Sequence, residues 1–504
     1  MSRVAVAASS QIAADAGVAA ATKGGNAVDA AIAATIAAMC TDPGVIALGG
    51  GGFIAIGHPD HERVVIDCNP EMPGRSAPPE RFGTGAPEVF MEYGGGMTTR
   101  VGHGSVATPG ALKGLGTAHE MFGEAEWRHT VEPTVRWAQG GFPLSGAAAE
   151  YLAFAHDVIF GWHPDSLAAL HHPAGGHLKE GELVRIPGLA NSLGLIAAEG
   201  PEVMYTGELA QHMVDDNMDN GGLLGMDDLA AYQAVPRQPI SFDVGEWSLG
   251  TNPAPAIGGA TAAAIIMLLN GLADWSAESI TDIVRSQDAV FAFRRDRLDE
   301  AIDVLPEIET LLEQAETRQL LASQSTVHIS AVDDRGMACS ISMSAGYGSG
   351  ATIPGTGIWL NNSLGEVELQ TRGLHSLEPG TRLVSNMAPT VGRGPDGSVL
   401  AVGTPGASRI TSALALTVVN LLRLGMSLEE AVEHPRVHVE TFEGKPTIAY
   451  EPGVEVADLE GFAHRAFREK SMYFGGVNAA MWTPSGGVSA TADSRRNGHV
   501  AVGG

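Results

Sequence analysis

The chain has 504 residues, 44% of them hydrophobic and 17% charged, with a mean hydropathy of +0.06; these values describe a folded protein with a large core rather than a disordered or fibrous one. Its net charge is −28 and its pI about 4.9, and 25 of the 30 basic residues are arginine, so the surface repels nucleic acid and anionic membranes. Length alone allows roughly two to four domains, or one large layered domain.

No run of 18 or more apolar residues occurs, so no membrane span is read. The start, Met1-Ser2-Arg3-Val4, has one basic residue and no sustained apolar stretch before Gln11, Asp15 and Lys23, so a cytoplasmic location is expected. Cys40, Cys68 and Cys339 are far apart and odd in number, with no metal-binding spacing.

The first elements are alanine-rich and helical. Lys23-Gly24-Gly25-Asn26 breaks the chain, and Asn26 is the expected N-cap of a helix whose Val28, Ala31, Ile32, Thr35, Ile36 and Met39 share one face. Gly49 to Gly52 then leads into a short buried strand, Phe53 to Ile56. No Lys-Ser/Thr follows the glycines, so close backbone packing explains them better than a phosphate loop. Residues 110–235 read as helices and loops. His156, His163, His171, His172 and His177 are scattered there without ligand spacing, and no metal is expected. Apolar or charged helices are expected from Gly258 to Leu269, from about Ile280 to Arg297, and from Glu307 to Leu321.

Thr326, His328, Ser330 and Val332 alternate with Val327, Ile329 and Ala331, the period of a strand. Asp334-Arg335-Gly336 makes a three-residue loop with Gly336 in the left-handed slot, and a second strand runs from Met337 to Ser344. That register pairs Asp333 with Met337 and therefore Thr326 with Ser344, placing two hydroxyls on one face. An ordinary hairpin with a surface threonine fits the same residues. So does a threonine that becomes an N-terminus when the Ser325–Thr326 bond is cut, its hydroxyl the nucleophile and its own amine the base. Downstream, a strand ends at Gly403-Thr404-Pro405-Gly406-Ala407-Ser408-Arg409 and opens the apolar helix Ile410 to Leu422. Such a turn is either structural or a source of free backbone N–H groups for an oxyanion.

Together these segments resemble the gamma-glutamyltranspeptidase family of N-terminal-nucleophile hydrolases over nearly the whole chain. Gly24 to Ala31 looks like the family's GGNAVDAA, Gly49 to Phe53 like its GGGGF, and Ser105 to Gly110 like its S-V-A-V-P-G. Thr326-Val327-His328 resembles the processing site, usually T-T-H. Leu360-Asn361-Asn362, Met387 to Thr390, Thr404 to Arg409 and Asp493 to Gly498 resemble its L-N-N, M-S-P-T, S-P-G-G-S-R and D-P-R stretches. Each motif is weak by itself; six or more in the right order are specific.

The resemblance implies an α+β fold, a four-layer αββα sandwich made as one precursor domain over 1–504. It implies self-cleavage before Thr326 into a large fragment, 1–325, and a small one, 326–504, that stay together as a heterodimer. Thr326 would attack a γ-glutamyl amide, the N–H groups of Gly406 and Ala407 would hold the oxyanion, and Ser344 would steady the nucleophile. Water or an amine would resolve the acyl-enzyme, with no cofactor, metal, nucleic acid or membrane involved.

The departures fall on substrate contacts. Asn69, in Asp67-Cys68-Asn69-Pro70-Glu71-Met72-Pro73, stands where the family has a carboxylate-binding arginine, and an amide cannot supply that charged fork. Arg75 is the nearby candidate to replace it, with Arg81 behind it. Ser363 and Glu366 stand at the pair that binds the substrate amine, and Glu366 keeps the carboxylate. Ser385-Asn386 replaces a Ser-Ser pair, Ala407 a glycine and Gly346 an asparagine. The short connection from Glu366 to Ser385 predicts an open site that admits bulky substrates. The leading expectation is therefore a self-processing γ-glutamyl hydrolase or transferase. The same machinery suits an amidase or acylase for glutaryl-type, β-lactam side-chain or poly-glutamate substrates. A third expectation is an uncleaved, silent homologue that only binds.

Overall fold

The computed structural model describes residues 2–44, 46–92, 96–299, 301, 303–316, 327–406 and 409–504. Ser325, Thr326 and Ala407 lie outside the described residues, as do Ser408 and the expected end of the third helix at Leu321.

The expected hairpin is present. Val327–Asp333 pairs antiparallel with Ala338–Ser344, in a register running from Val332 opposite Ala338 to Val327 opposite Met343. Gly336 takes φ +84°, the left-handed conformation assigned to it. Asp333 fixes the turn: its carboxylate accepts from the N–H groups of Arg335, Met337 and, across the fold, Ala27.

The hairpin is the centre of a seven-stranded antiparallel sheet. Among the described residues its order is His499–Gly503, Val4–Ala8, Val327–Asp333, Ala338–Ser344, Gly51–Gly57, Val64–Cys68 and Val235–Arg237. The glycine run does what backbone packing requires. A Cβ on Gly50 would lie 2.3 Å from the Ser344 carbonyl oxygen, and one on Gly52 would lie 2.0 Å from that of Ser342. A second, six-stranded sheet runs Gly487–Ala492, Asn478–Thr483, Val399–Gly403, Thr390–Arg393, Trp247–Thr251 and Ile240–Val244.

Strand alternation sorts side chains between cores. Ala5, Phe53, Ala55 and Val332 of the first sheet meet Val391, Val399, Ala401 and Ala480 of the second in one apolar cluster. On its other side the first sheet presents Val4, Val6, Ile54 and Ile56 to helices Gln11–Ala21, Ala27–Thr41 and Ala111–Phe122. The second presents Leu249, Leu400 and Val402 to helices Gly258–Leu269, Ala277–Phe293 and Ile410–Leu422. This is the expected α+β class.

Asn26 caps Ala27–Thr41 as read, in a reciprocal capping box with Asp29. That helix is buried all round rather than along one stripe, because its mostly small residues let neighbours approach from every side. The helix expected to reach Arg297 is α-helical only to Phe293 and continues as a π-helical turn, Arg294–Leu298. Such turns widen a helix locally and re-aim side chains, often at functional sites. The three cysteines are buried free thiols. No helix among the described residues is long and apolar enough to cross a membrane.

Candidate active site

Ser344 ends the second hairpin strand, one step beyond Met343, and lies opposite Gly51 of the next strand. Its Oγ accepts from Gly346 N at 2.9 Å. Beneath the start of the hairpin sits a buried polar layer. His328 is fully enclosed, with Nδ1 2.9 Å from Ser342 Oγ and Nε2 2.8 Å from Ser330 Oγ. Burial holds its imidazole down at about 3, so it is neutral at ordinary pH. Asn478 Nδ2 donates to the His328 carbonyl, clamping the strand beside position 326.

The turn from Thr404 to Gly406 leaves the second sheet over this layer. Gly406 takes φ +138°, and a Cβ there would lie 2.7 Å from Gly475 Cα, so both conformation and space call for glycine. Thr404 Oγ1 accepts from Gly476 N at 3.0 Å, and Arg409 N donates to the Gly406 carbonyl.

Carboxylates converge beside Ser344. Asn362 Oδ1 accepts from Tyr347 N at 2.7 Å, while its Nδ2 donates to Thr99 Oγ1 and the Arg100 carbonyl. A Cβ on Gly346 would fall 2.2 Å from Asn362 Oδ1 and 3.3 Å from the Glu366 carboxyl carbon, so an asparagine at this position would have no room. Burial pushes the Glu366 carboxyl well above the usual range, and the neighbouring Glu368 charge adds to it. Glu368 also rises by burial, opposed by the Tyr347 hydroxyl, which donates to it at 2.6 Å, and by the facing Arg294 and Arg409. Both side chains keep some exposed surface, so residual hydration tempers these shifts.

Ser385 and Asn386 form a buried bend against a helix start. The Ser385 carbonyl accepts from Ile257 N and Gly258 N, and a Cβ on Gly258 would strike the Asn386 carbonyl oxygen at 2.0 Å. Ser363 is buried; its N–H donates to Asn361 Oδ1.

Two residues read from the sequence stand differently from what their positions suggested. Asn69 Nδ2 donates to the Leu383 carbonyl at 2.8 Å, so its amide is spent on the strand leading to Ser385. Arg75 lies 3.3 Å from Asp228 and 3.5 Å from Glu71, drawn into a cluster that also holds Arg382 and Asp67. The guanidinium that does reach the Ser385–Asn386 bend belongs to Arg294. It is 2% exposed, donates from Nη1 to Asn386 Oδ1 at 2.7 Å and from Nε to Asp299 Oδ1 at 2.5 Å. Sequence reasoning passed over it as one of several arginines in Arg294-Arg295-Asp296-Arg297. Only the π turn, which turns Arg294 inward while Arg295 and Arg297 stay out, separates them.

An antiparallel two-sheet frame around an internal hairpin, with a hydroxyl, a glycine turn and half-buried carboxylates, is the architecture of the N-terminal-nucleophile hydrolase class. Residues 13–503 match the gamma-glutamyltranspeptidase family model, and the chain belongs to that family. It is 30% identical over 515 residues to the acylase ACY 1 proenzyme of Pseudomonas sp. (strain SE83), covering 95% of this chain and 90% of that one. It is 28% identical over 461 residues to the glutathione hydrolase proenzyme of Escherichia coli (strain K12), covering 82% and 77%. The crystal structure of cephalosporin acylase from Bacillus halodurans superposes with a TM-score of 0.79 at 21% identity, over 99% of this chain and 96% of that one, a likeness of fold.

Proposed function

We propose that the chain is a self-processing γ-glutamyl hydrolase or transferase built as a four-layer αββα sandwich, 1–504. It cuts itself before Thr326 into fragments 1–325 and 326–504, which remain together as a heterodimer. The observation that carries this reading is the hairpin register. Val327 pairs with Met343, so the second strand ends on Ser344, whose Oγ accepts from Gly346 N next to the Glu366 carboxyl.

In the reaction, the Thr326 hydroxyl attacks the amide carbonyl while its α-amine takes the hydroxyl proton. A terminal amine has a pKa of roughly 7.7–8.0, a suitable base near neutrality. The N–H groups of Gly406 and Ala407 hold the oxyanion, and Ser344 orients the nucleophile. The amine proton passes to the leaving nitrogen as the amide bond breaks. Water or an amine acceptor then attacks the threonyl ester, and the acid or new amide leaves.

Specificity rests on charge. Glu366, with Glu368 behind it and Asp299 beyond, favours a substrate ammonium group. Ser363 belongs with Glu366 on that ammonium side; Ser385 and Asn386 line the carboxylate side, where Arg294 supplies the positive charge that Asn69 lacks and that Arg75, engaged by Asp228 and Glu71, does not bring. The short connection from Glu366 to Ser385 leaves the entrance open to bulky amides.

A second reading, an acylase of the same mechanism, is favoured by the neutral Asn69 and by relatives named acylases. Turnover of γ-glutamyl-p-nitroanilide against glutaryl-p-nitroanilide separates the two, since only the first carries the ammonium group. Denaturing electrophoresis with N-terminal sequencing tests processing: a small fragment beginning at Thr326 is expected, absent in Thr326→Ala. A single uncut band from active wild-type protein overturns the proposal and leaves the silent, binding-only homologue.

A further inference from the structure

Three side chains from distant parts of the chain meet behind the strap from Thr99 to Val106. His103 opens the short turn His103–Ser105, His163 precedes helix Pro164–Leu170, and Asp216 lies on helix Gly207–Asp219. One ligand atom of each lies within 4.8 Å of the other two. His103 Nε2 and Asp216 Oδ2 are 2.9 Å apart. His103 is 6% and His163 9% exposed, and His163 Nδ1 is buried with no hydrogen-bond partner among the described residues. An imidazole nitrogen stripped of water and given nothing in return costs stability unless something else engages it.

We propose that His103, His163 and Asp216 bind a divalent transition-metal ion, Zn²⁺ foremost, as a structural brace outside the active site. Two imidazoles and a carboxylate suit Zn²⁺, with water completing the shell. Bonds of about 2.0–2.1 Å set tetrahedral ligand atoms about 3.3 Å apart. The His103–Asp216 pair is already near that spacing, and the third ligand closes by at most about 1.5 Å, within reach of side-chain rotation.

The brace has a consequence for the candidate site. The strap that carries His103 also holds Asn362 through Thr99 and Arg100, accepts Leu364 N at the Ser105 carbonyl, and donates from Arg100 N to the Gly365 carbonyl. A metal that ties the strap to two helical segments stiffens the floor under Glu366. The surface also carries its own reporter. Trp162, 42% exposed, meets His103 and His163 edge-on, with ring centroids 5.6 and 5.4 Å away.

The test uses full-length protein stripped with a chelator and titrated with ZnCl₂ by calorimetry. One site per chain is expected, weakened at least tenfold in His163→Ala and in Asp216→Asn. It should persist in His171→Ala and His177→Ala, which alter a separate histidine group. Zn²⁺ is expected to raise the thermal midpoint of the wild type by about 2 °C or more and to leave His163→Ala unmoved. Co²⁺ is expected to quench fluorescence in the wild type and much less in Trp162→Phe. Asp216→Asn is nearly isosteric, so it carries the test if the histidine variant does not fold. Binding far below one ion per chain, or affinity unchanged in both variants, overturns the site.

Discussion

The imidazole of His328 lies against Gly403: a Cβ built on that glycine would sit 2.5 Å from His328 Cε1. The strand leading to the Gly406 turn therefore ends on His328, at the start of the hairpin. Gly403→Ala is expected to push the imidazole off Ser330 and Ser342, destabilise the fold by about 1–3 kcal/mol as overpacking does, and slow processing. Thermal melting and a time course of the two fragments check it; unchanged processing would show that the contact does not govern the geometry at Thr326.

Acid should weaken the fold through the same histidine. Its pKa is about 3 when folded against 6.5 when unfolded, so between those values the unfolded chain binds more protons. Stability is complete above pH 6.5 and falls as pH drops toward 3, by about 2 kcal/mol between pH 7 and 5. His438, pushed well below its ordinary value by burial and by Arg409, acts in the same direction. Glu366 and Glu368 act oppositely, because raised carboxyl pKa values favour the folded state as pH falls. Denaturant unfolding at pH 5, 6 and 7 of the Glu366→Gln, Glu368→Gln double variant with and without His328→Gln isolates the His328 slope, and the same pH dependence in both would contradict it.

Glu366→Gln separates the two acyl classes. Loss of a charged partner for the substrate ammonium is expected to raise KM for γ-glutamyl-p-nitroanilide about 10- to 100-fold, from the 1.5–3 kcal/mol of a charged hydrogen bond. KM for the glutaryl analogue should stay the same or fall. Equal effects on both substrates would remove Glu366 from ammonium binding.

Arg294→Lys keeps the charge but loses the planar fork that spans Asn386 and Asp299. About a tenfold rise in KM for carboxylate-bearing substrates is expected, with little change in kcat. Arg75→Ala should leave KM within about twofold, because Asp228 and Glu71 already hold that side chain. The reverse pattern would return the carboxylate role to Arg75.

Gly346→Asn, which restores the residue the family usually carries there, is expected to disable the enzyme. Its side chain would meet Asn362 Oδ1 at 2.2 Å and crowd Glu366. Wild-type kinetics in that variant would show that Asn362 and Glu366 leave room for a side chain at 346.

Local chemistry was legible in the linear order of residues. Two-residue alternation and one glycine determine the hairpin pairing, so the register that sets Val327 opposite Met343 could be read from ten or so residues on either side of a turn. Capping at Asn26 and the packing role of Gly49 to Gly52 follow from equally short-range rules, and ordered motifs sufficed for the family. What no linear reading could decide is which of several arginines reaches the Ser385–Asn386 bend, because Arg294 and Asn386 are 92 residues apart and a π turn chooses between neighbours. The same holds for His103, His163 and Asp216, whose approach depends on how helices pack rather than on their spacing along the chain. Pairings set by a turn are written in adjacent residues, whereas side chains that meet across a packed core are brought together only when every intervening layer has found its place.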